Sequence, residues 1–351
     1  MNNLKLNLVV MMIASLLSGC GGGGGTSPSP TSALVGIAVD NVTTPNQLFV
    51  SDFGLSLIKS ISITGGSSTV LAGKSGVFGS ANSTTGTLAT FYGVEGLALV
   101  GANLYAVDAF NCGIRDISIT APYAVTTTAG NLGTCTNSDN TTATLATFNT
   151  PRNVAADRTT GDLYVTDSVN NTIRKISSTG VVTTIASGFN APWGIVSDNS
   201  SPPILYVTDV GSNSIKKVLN TAGAWSVSTF AGSLTGVAGL PSNANGTSAT
   251  FNEPLGITID SAYANLYVVD GNNNAIRQIA IAAPQTVTLI AGSSTGSTGS
   301  LNNTTGTLAT FSQPTSIAFG GGNLFVIDQN GTSIRVVSVS GTNSVSKQSV
   351  N

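Results

Sequence analysis

The chain has 351 residues, a formal charge of −2 and no histidine, and only 8% of its residues are charged. The absence of histidine removes the commonest general base and the commonest zinc ligand, and glutamate occurs only at Glu95 and Glu253. No long basic run is present, so the charge pattern of a nucleic-acid-binding protein is missing. Hydrophobic residues reach 41% and alternate with polar ones, which favours a folded chain of short strands and turns over disorder.

The first predicted element is a short apolar run at 8–17, preceded by Lys5. It is placed where the apolar centre of a signal peptide belongs and is too short to span a bilayer comfortably. The run ends in Leu17-Ser18-Gly19-Cys20, which resembles the lipobox of bacterial lipoproteins. The resemblance implies cleavage before Cys20 and diacylation of its thiol, so we expect residues 1–19 to be a lipoprotein signal peptide. The alternative is an ordinary secretory signal with an incidental cysteine.

Residues 20–33 are predicted to be a tether, because five glycines at 21–25 are followed by Thr-Ser-Pro-Ser-Pro. No aspartate follows Cys20. If the host is Gram-negative, the sorting pattern of lipoproteins then favours the outer membrane. We therefore expect an exported chain that is held at the cell envelope through an N-terminal lipid, with the membrane as one partner.

Six similar units fill the remainder of the chain, 34–351. Each unit contains an apolar run of the Leu-Tyr-Val-x-Asp type, and these runs lie at 48–52, 104–108, 163–167, 205–209, 266–270 and 324–328. One further apolar run precedes each of them and two follow, so every unit contains four short predicted strands. The spacing of the units is in the range of propeller blades.

The units resemble NHL repeats. The resemblance lies in the Gly-Ile-Ala-Val-Asp run at 36–40, the Leu-Tyr-Val-x-Asp run and the Asn-Asn-x-Ile-Arg-Lys-Ile run, most clearly at Leu163 to Ile176 and Leu266 to Ile279. It implies an all-β fold, a six-bladed β-propeller whose blades are twisted four-stranded antiparallel sheets around a central channel. Each blade is predicted to be complete in chain order, with the run at 344–350 as the last outer strand.

Every strand-ending aspartate is followed seven residues later by a cation. We predict six structural ion pairs, either across the ladder or with the neighbouring blade: Asp52 and Lys59, Asp108 and Arg115, Asp167 and Arg174, Asp209 and Lys216, Asp270 and Arg277, and Asp328 and Arg335. A catalytic role is the less favoured interpretation, because catalytic sites do not normally recur six times in one chain.

The connections between units predict a disulfide and a set of buried aromatic rings. In such blades, the loop between the second and third strands emerges on the same face as the connection to the next blade. Cys112 lies in a loop of the first kind and Cys135 in the following connection, so we expect a disulfide in an exported protein. The alternatives are two free thiols or a metal pair. Thr-Leu-Ala-Thr-Phe and Thr-Ser-Ala-Thr-Phe segments in these connections predict phenylalanines that fill the gaps between blades: Phe91, Phe148, Phe251 and Phe311.

One matched position departs from the repeat pattern. Placed just before the first strand of each unit, at the predicted channel mouth, it contains Val35, Glu95, Arg152, Trp193, Leu255 and Thr315. Glu95, Arg152 and Trp193 together would offer an acid, a base and an aromatic platform to a small polar ligand, a sugar or a peptide. The alternative is an ion pair between Glu95 and Arg152 with Trp193 packed over it.

Three classes of function remain open. The leading hypothesis is a monomeric binding or interaction scaffold on the envelope, for a protein, a peptide or a small polar ligand. The second is a lactonase-like hydrolase with a channel metal, which would need Glu95, Asn153 and an aspartate. The third is a purely structural envelope protein. No cofactor is predicted, and the Asp-x-x-Asn-Asn loops lack the carboxylate density of a dedicated calcium site.

Overall fold

A computed structural model describes residues 30–40, 47–64 and 66–348. The predicted signal peptide 1–19, Cys20 and most of the tether lie outside the described residues. Within the described part of the chain the fold is all β, as predicted, with six sheets and short 3₁₀ turns between strands. The four main strands of each sheet follow chain order, so every blade is built from one continuous stretch.

The strands of the first three blades are, from the channel outward in each blade, β1 (Leu34–Val39), β2 (Gln47–Asp52), β3 (Leu57–Ser62) and β4 (Thr69–Ala72); β5 (Val94–Val100), β6 (Asn103–Asp108), β7 (Gly113–Ser118) and β8 (Val125–Ala129); and β9 (Pro151–Ala156), β10 (Leu163–Asp167), β11 (Thr172–Ile176) and β12 (Val182–Ser187). All pairs within these blades are antiparallel.

The last three blades contain β13 (Pro192–Ser197), β14 (Ile204–Asp209), β15 (Ser214–Thr221) and β16 (Ala224–Gly232); β18 (Pro254–Ile259), β19 (Asn265–Asp270), β20 (Ala275–Ala280) and β21 (Thr286–Gly292); and β22 (Ser316–Gly320), β23 (Asn323–Asp328), β24 (Ser333–Ser338) and β25 (Val345–Lys347). The two-residue β17 (Ala244–Asn245) adds to the outer edge of the fifth blade. The 3₁₀ turns are Gly86–Leu88, Ala109–Asn111, Ala143–Leu145, Val210–Ser212, Gly246–Ser248, Gly271–Asn273 and Gly306–Leu308.

The innermost strands β1, β5, β9, β13, β18 and β22 contact one another in ring order, which closes the propeller. Because strands alternate in direction, the molecule has two faces. We call the end where the innermost strands begin the entry face; it has the loops between second and third strands and the connections between blades. The exit face, at the opposite end, has the loops between first and second strands and between third and fourth strands.

Six clusters of buried apolar side chains lie between neighbouring blades and form the core. The alternation along each strand sends successive side chains to opposite faces of its sheet, so every blade contributes to two clusters. The predicted gap-filling phenylalanines are all fully buried: Phe91, Phe148, Phe251 and Phe311. Phe91, for example, packs against Phe49 of the first blade and Leu104 of the second.

In the part of the chain that the structure describes, ring closure does not exchange strands between the first and last blades, as the order of the runs predicts. β25 pairs with β24 of its own blade, and β1 pairs with β2. Between the last and first blades, the amide of Leu34 donates to the carbonyl of Gly331 at 2.9 Å. The side chain of Gln348 donates to the carbonyl of Ile63 at 3.0 Å. Side-chain packing and such bonds hold the ring at this seam.

Candidate functional site

Glu95, Arg152 and Trp193 lie on the innermost strands β5, β9 and β13 of three successive blades. Glu95 and Arg152 form an ion pair, and both side chains are buried. The guanidinium carbon of Arg152 lies 4.6 Å from the ring centroid of Trp193. Burial raises the pKa of Glu95 to about 7, although the neighbouring guanidinium opposes this shift. The geometry is that of the alternative interpretation, an ion pair with an aromatic cover.

Hydroxyl groups link neighbouring innermost strands at the entry end. Ser51 accepts a hydrogen bond from the amide of Gly36 at 2.7 Å and donates to the carbonyl of Glu95 at 2.6 Å. A Cβ at position 36 would collide with the same carbonyl, so glycine permits this close approach. Two threonines make the equivalent bridge to the next blade: Thr166 to the carbonyl of Trp193, and Thr208 to that of Leu255.

The channel contains a cavity of about 560 Å³ that opens at the exit face. Its rim includes residues of the loops that follow the innermost strands, among them Arg158, Asn199 and Tyr263. Glu95, Arg152 and Trp193 do not line this cavity. They lie where the innermost strands begin, at the entry end of the channel and away from this cavity. A role in ligand binding stays a prediction.

Of the lowest tier of side-chain positions around the cavity, only Asn153 was identified from the sequence, for a lactonase-like site, and the tier itself was missed. The six blades place four glycines, one amide and one hydroxyl there: Gly36, Gly96, Asn153, Gly194, Gly256 and Ser316. Asn153 and Ser316 are therefore the two residues of this tier with polar side chains, and both line the cavity. The signal is present in the alignment of the repeats, at the position that follows Glu95, Arg152 and Trp193.

The walls above this tier are mostly apolar. The next tier toward the exit face has large aliphatic side chains, among them Ile37, Ile195 and Ile257, and the tier after it includes Ala98 and Ala155. The resulting site has a neutral polar base, an apolar wall and a polar rim.

Four of the predicted ion pairs involve arginine and share one geometry. Arg115, Arg174, Arg277 and Arg335 each contact the aspartate seven residues before them at 2.7–3.1 Å, and all are buried. Each guanidinium also lies over a gap-filling phenylalanine, 5.0–5.2 Å from the ring centroid. Each further donates to carbonyls of the segment that contains that phenylalanine, as Arg335 does to Thr310 and Leu301. These groups hold the connections against the blades.

The two lysine blades differ from the arginine blades and from each other. Lys59 contacts Asp52 at 2.6 Å. The predicted pair of Asp209 and Lys216 does not form a direct contact: Lys216 donates to Thr229 at 2.9 Å, although its charge still opposes the rise in the pKa of Asp209 that burial causes. The first blade has no preceding blade connection, and the fourth blade is preceded by a short one at 188–191 without a Thr-x-Ala-Thr-Phe segment. In these two blades a guanidinium would find no carbonyls of such a segment to contact. This explains why both blades have lysine in place of arginine.

Cys112 and Cys135 form the predicted disulfide, with their Cα atoms 5.4 Å apart. Cys112 ends a 3₁₀ turn between β6 and β7 in a left-handed backbone conformation. Cys135 lies in the connection that follows β8. The bond therefore joins two loops on the entry face, and the alternatives of free thiols or a metal pair are excluded.

The lactonase-like arrangement does not assemble. Asn153 lines the cavity, but Glu95 is held by Arg152 at the entry end and does not face the cavity with it. Among the described residues, no group of three or more Asp, Glu or Cys side chains is arranged to hold a metal ion. No helix in this part of the chain has the length and apolarity needed to cross a bilayer.

No protein family model matches the chain, and neither does any curated protein. Solved structures do resemble it. One is a protein of unknown function from Bacteroides thetaiotaomicron, with 19% identity and a TM-score of 0.63 over 90% of this chain and 71% of that one. Another, an auxiliary nutrient binding protein from the same organism, has 13% identity and a TM-score of 0.65 over 91% and 70%.

A third similar structure is virginiamycin B lyase from Staphylococcus aureus, with 15% identity and a TM-score of 0.52 over 91% of this chain and 84% of that one. Proteins of these kinds include a binding protein and an enzyme, so their shared architecture does not select a function. At these identities the likeness shows the fold, and the chain is a six-bladed β-propeller.

Proposed function

We propose that this chain is an exported, lipid-anchored propeller of the NHL type that binds a small, largely neutral molecule in the channel cavity at the exit face. The observation that supports this most directly is the cavity itself. Its volume of about 560 Å³ falls within the range of roughly 300–1,000 Å³ that is usual for small-molecule sites. Its walls belong to paired strands, so the site is held ready before a ligand arrives.

The lining suggests the chemistry of the ligand. The amide of Asn153 and the hydroxyl of Ser316 at the base suit a hydrogen-bonding group without charge. The isoleucine and alanine walls suit an apolar body. Arg158, Asp260 and Tyr263 at the rim are the titratable residues among those that line the cavity. We therefore favour an amphipathic molecule whose neutral polar end enters first.

Glu95, Arg152 and Trp193 enter this proposal as support for the base of the site. Each directly precedes a residue of the lowest tier, namely Gly96, Asn153 and Gly194. Their ion pair and stacking contact hold three innermost strands at the spacing that the tier requires. The binding role of the auxiliary nutrient binding protein, which has the same fold, is compatible with this use of the architecture.

The lipid anchor is supported by the sequence of residues 17–20 and by the tether that follows. Mass spectrometry of the N-terminal peptide of the chain purified from membranes tests it directly. We expect a peptide that begins at Cys20 and contains a diacylglyceryl group. A Cys20→Ala variant should leave the membrane fraction, and an unmodified native Cys20 would remove the anchor from the proposal.

Ligand binding can be tested with two matched substitutions. Ala156 lines the cavity, whereas Ala224 is exposed in the hairpin between β15 and β16. The purified protein is screened against neutral metabolites by thermal shift, and hits are titrated by calorimetry. We expect Ala156→Trp to weaken binding at least about tenfold, because the indole occupies cavity volume, while Ala224→Trp binds as the native chain does.

Two results would count against this proposal. A hit that binds Ala156→Trp as tightly as the native protein would place binding elsewhere. Envelope integrity that depends on the chain, combined with unchanged behaviour of Ala156→Trp in cells, would favour a purely structural role.

A further inference from the structure

The two faces of the propeller differ in exposed apolar side chains. Ten large apolar residues of the entry-face loops and connections stand in water: Val77, Phe78, Leu88, Leu145, Val169, Leu234, Val237, Leu240, Leu301 and Leu308. The most exposed of them are Leu234 at 72% and Leu88 at 66%. Among the described loops of the exit face, Tyr263 alone is a large hydrophobic residue of this kind. Exposed apolar groups concentrated on one face indicate a surface that is covered in use.

Local contacts fix these side chains on the entry face. The amide of Gly76 donates to the carbonyl of Leu55, in the loop between β2 and β3, at 3.2 Å, which places the adjacent Val77 on this face. The side chain of Asn213 donates to the carbonyl of Gly236 at 3.0 Å and places Val237 likewise. The apolar groups therefore belong to connections that rest on the loops of the blades.

Their distribution favours a flat partner. Val77 and Phe78 lie between the first and second blades, Val169 on the third, and Leu234, Val237 and Leu240 between the fourth and fifth. They are spread around the rim of the disc and do not line one groove. Such a spread favours a flat partner over a single peptide or helix.

The two faces also differ in the number of charged side chains in their loops, and the entry face has fewer. The described loops and connections of the entry face contain three formally charged side chains, Lys74, Asp139 and Glu253. Asp139 is held on the outer wall by Arg174 and by Thr184. The much shorter exit-face loops contain five aspartates and one arginine, namely Asp40, Asp157, Arg158, Asp162, Asp198 and Asp260. Four of these aspartates are buried and Asp162 also contacts Lys175, so the argument from charge rests on the entry face. With few charged side chains, the entry face loses little solvation against a bilayer.

The chain that leads to the anchor also meets the entry face. Ala33 donates to the carboxylate of Asp52 at 3.0 Å. Pro30 lies against Gly76, beside Val77 and Phe78. Between Cys20 and Pro30 the chain can span at most about 35 Å. A lipid on Cys20 would therefore be joined to the propeller at its entry face.

We infer that the entry face is a membrane-contact surface that lies on the bilayer holding the Cys20 lipid, so that the channel cavity opens away from the membrane. This inference rests on the lipid anchor of the proposed function. Apolar side chains at the depth of the lipid head groups add to the attachment that the acyl chains provide. The proposed ligand then reaches the cavity from the aqueous side without crossing the interface.

The test places one fluorescent reporter on each face. The lipidated full chain, as Val237→Cys or as the control Tyr263→Cys, is labelled with the environment-sensitive dye NBD. Cys112 and Cys135 are joined and Cys20 is acylated, so the new thiol takes the label. Val237 lies far around the ring from the tether, so its signal reports contact of the face. Each protein is reconstituted into vesicles of phosphatidylethanolamine and phosphatidylglycerol that contain lipid spin-labelled near the head group.

We expect quenching at position 237 to exceed that at position 263 at least about threefold, with a blue-shifted emission at 237 only. Equal quenching at the two positions, quenching at neither, or stronger quenching at 263 would each overturn the orientation. Circular dichroism of the labelled variants confirms the fold. An unacylated Cys20, seen by mass spectrometry before labelling, would overturn the anchor and this orientation with it. An acylated chain without preferential quenching at 237 overturns the orientation alone.

Discussion

Glu95 and Arg152 form a buried ion pair that joins the innermost strand of the second blade to that of the third. A carboxylate in such surroundings is sensitive to pH, because burial raises its pKa to about 7. An unfolded glutamate has a pKa of about 4.3. Between these values the folded state binds more protons than the unfolded state, so Glu95 makes the free energy of unfolding fall as pH rises.

The first prediction follows from this sign. Glu95→Gln removes the titrating carboxylate and with it this fall in the free energy of unfolding. The variant should therefore gain stability relative to the native protein as pH rises from 5 to 8. The gain should be at most about 1.4 kcal/mol per pH unit. Urea unfolding at unit intervals of pH measures it. Burial also raises the pKa of Asp270 to about 6, but this effect is common to both proteins and cancels in the difference. A difference that does not change with pH would show that Glu95 stays ionised throughout.

The second prediction concerns the arginines of the blade seams. Arg335 contacts Asp328, two carbonyls and the ring of Phe311. Lysine cannot satisfy these groups together, so Arg335→Lys should reduce the free energy of unfolding by about 2–4 kcal/mol. Lys216→Arg should change it by less than about 1 kcal/mol, because no Thr-x-Ala-Thr-Phe segment precedes that blade. Equal effects in the two variants would contradict the proposed link between arginine and the segment.

The third prediction compares two residues of one segment. Phe311 is fully buried between blades, whereas Leu308, three residues before it, is 61% exposed. Phe311→Ala should cost about 3–5 kcal/mol, since it leaves a cavity in the core. Leu308→Ala should stay within about 0.5 kcal/mol of the native protein. Chemical denaturation of both variants makes the comparison, and a small loss for Phe311→Ala would mean that the segment does not hold the seam.

The fourth prediction concerns the disulfide. Cys112 and Cys135 are 23 residues apart in sequence. Closing a loop of this length stabilises a folded chain by about 3 kcal/mol, mainly by restricting the unfolded state. The Cys112→Ala, Cys135→Ala double variant should lose roughly that amount, and the native protein should lose a similar amount in reductant. Stability of the double variant should not respond to reductant; if it does, the effect has another source.

Repetition is the reason why much of the fold was predictable. Six copies of four apolar runs describe six sheets, because each run has the alternation of one strand, and the aspartate at the end of the second run marks the entry face each time. Cys112 and Cys135 could be paired from that topology alone. A single copy of any of these runs would have been ambiguous, whereas the repeated order of the runs was not.

The site was harder to predict than the fold. Which end of the channel is open depends on how closely the backbones of the innermost strands approach one another. Glu95 and Arg152 attracted attention as rare charged residues at a matched position. Their burial follows from Gly36 and Gly96, which allow innermost strands to approach until those side chains are enclosed. Asn153 and Ser316 replace glycine in the lowest tier of the cavity. A neutral polar residue in place of glycine is a weaker sign of function in a sequence than a charged residue. Lysine replaces arginine in both blades without a preceding Thr-x-Ala-Thr-Phe segment, but Lys59 still contacts Asp52, so this replacement does not predict that Lys216 bonds Thr229 instead.

The building of each blade from one continuous stretch has a consequence for how the chain tolerates rearrangement. Among the strands of residues 30–348 that the structure describes, none is shared across the seam between the last and first blades, so the position of the termini is not needed to complete these sheets. Circular permutants that open a connection between two other blades, and join the present ends through a linker, should keep all six sheets intact. The chain does not run from the last blade into the first, so only side-chain packing and hydrogen bonds hold the seam beside Leu34 and Gly331. We expect the ring to open first at this seam under force.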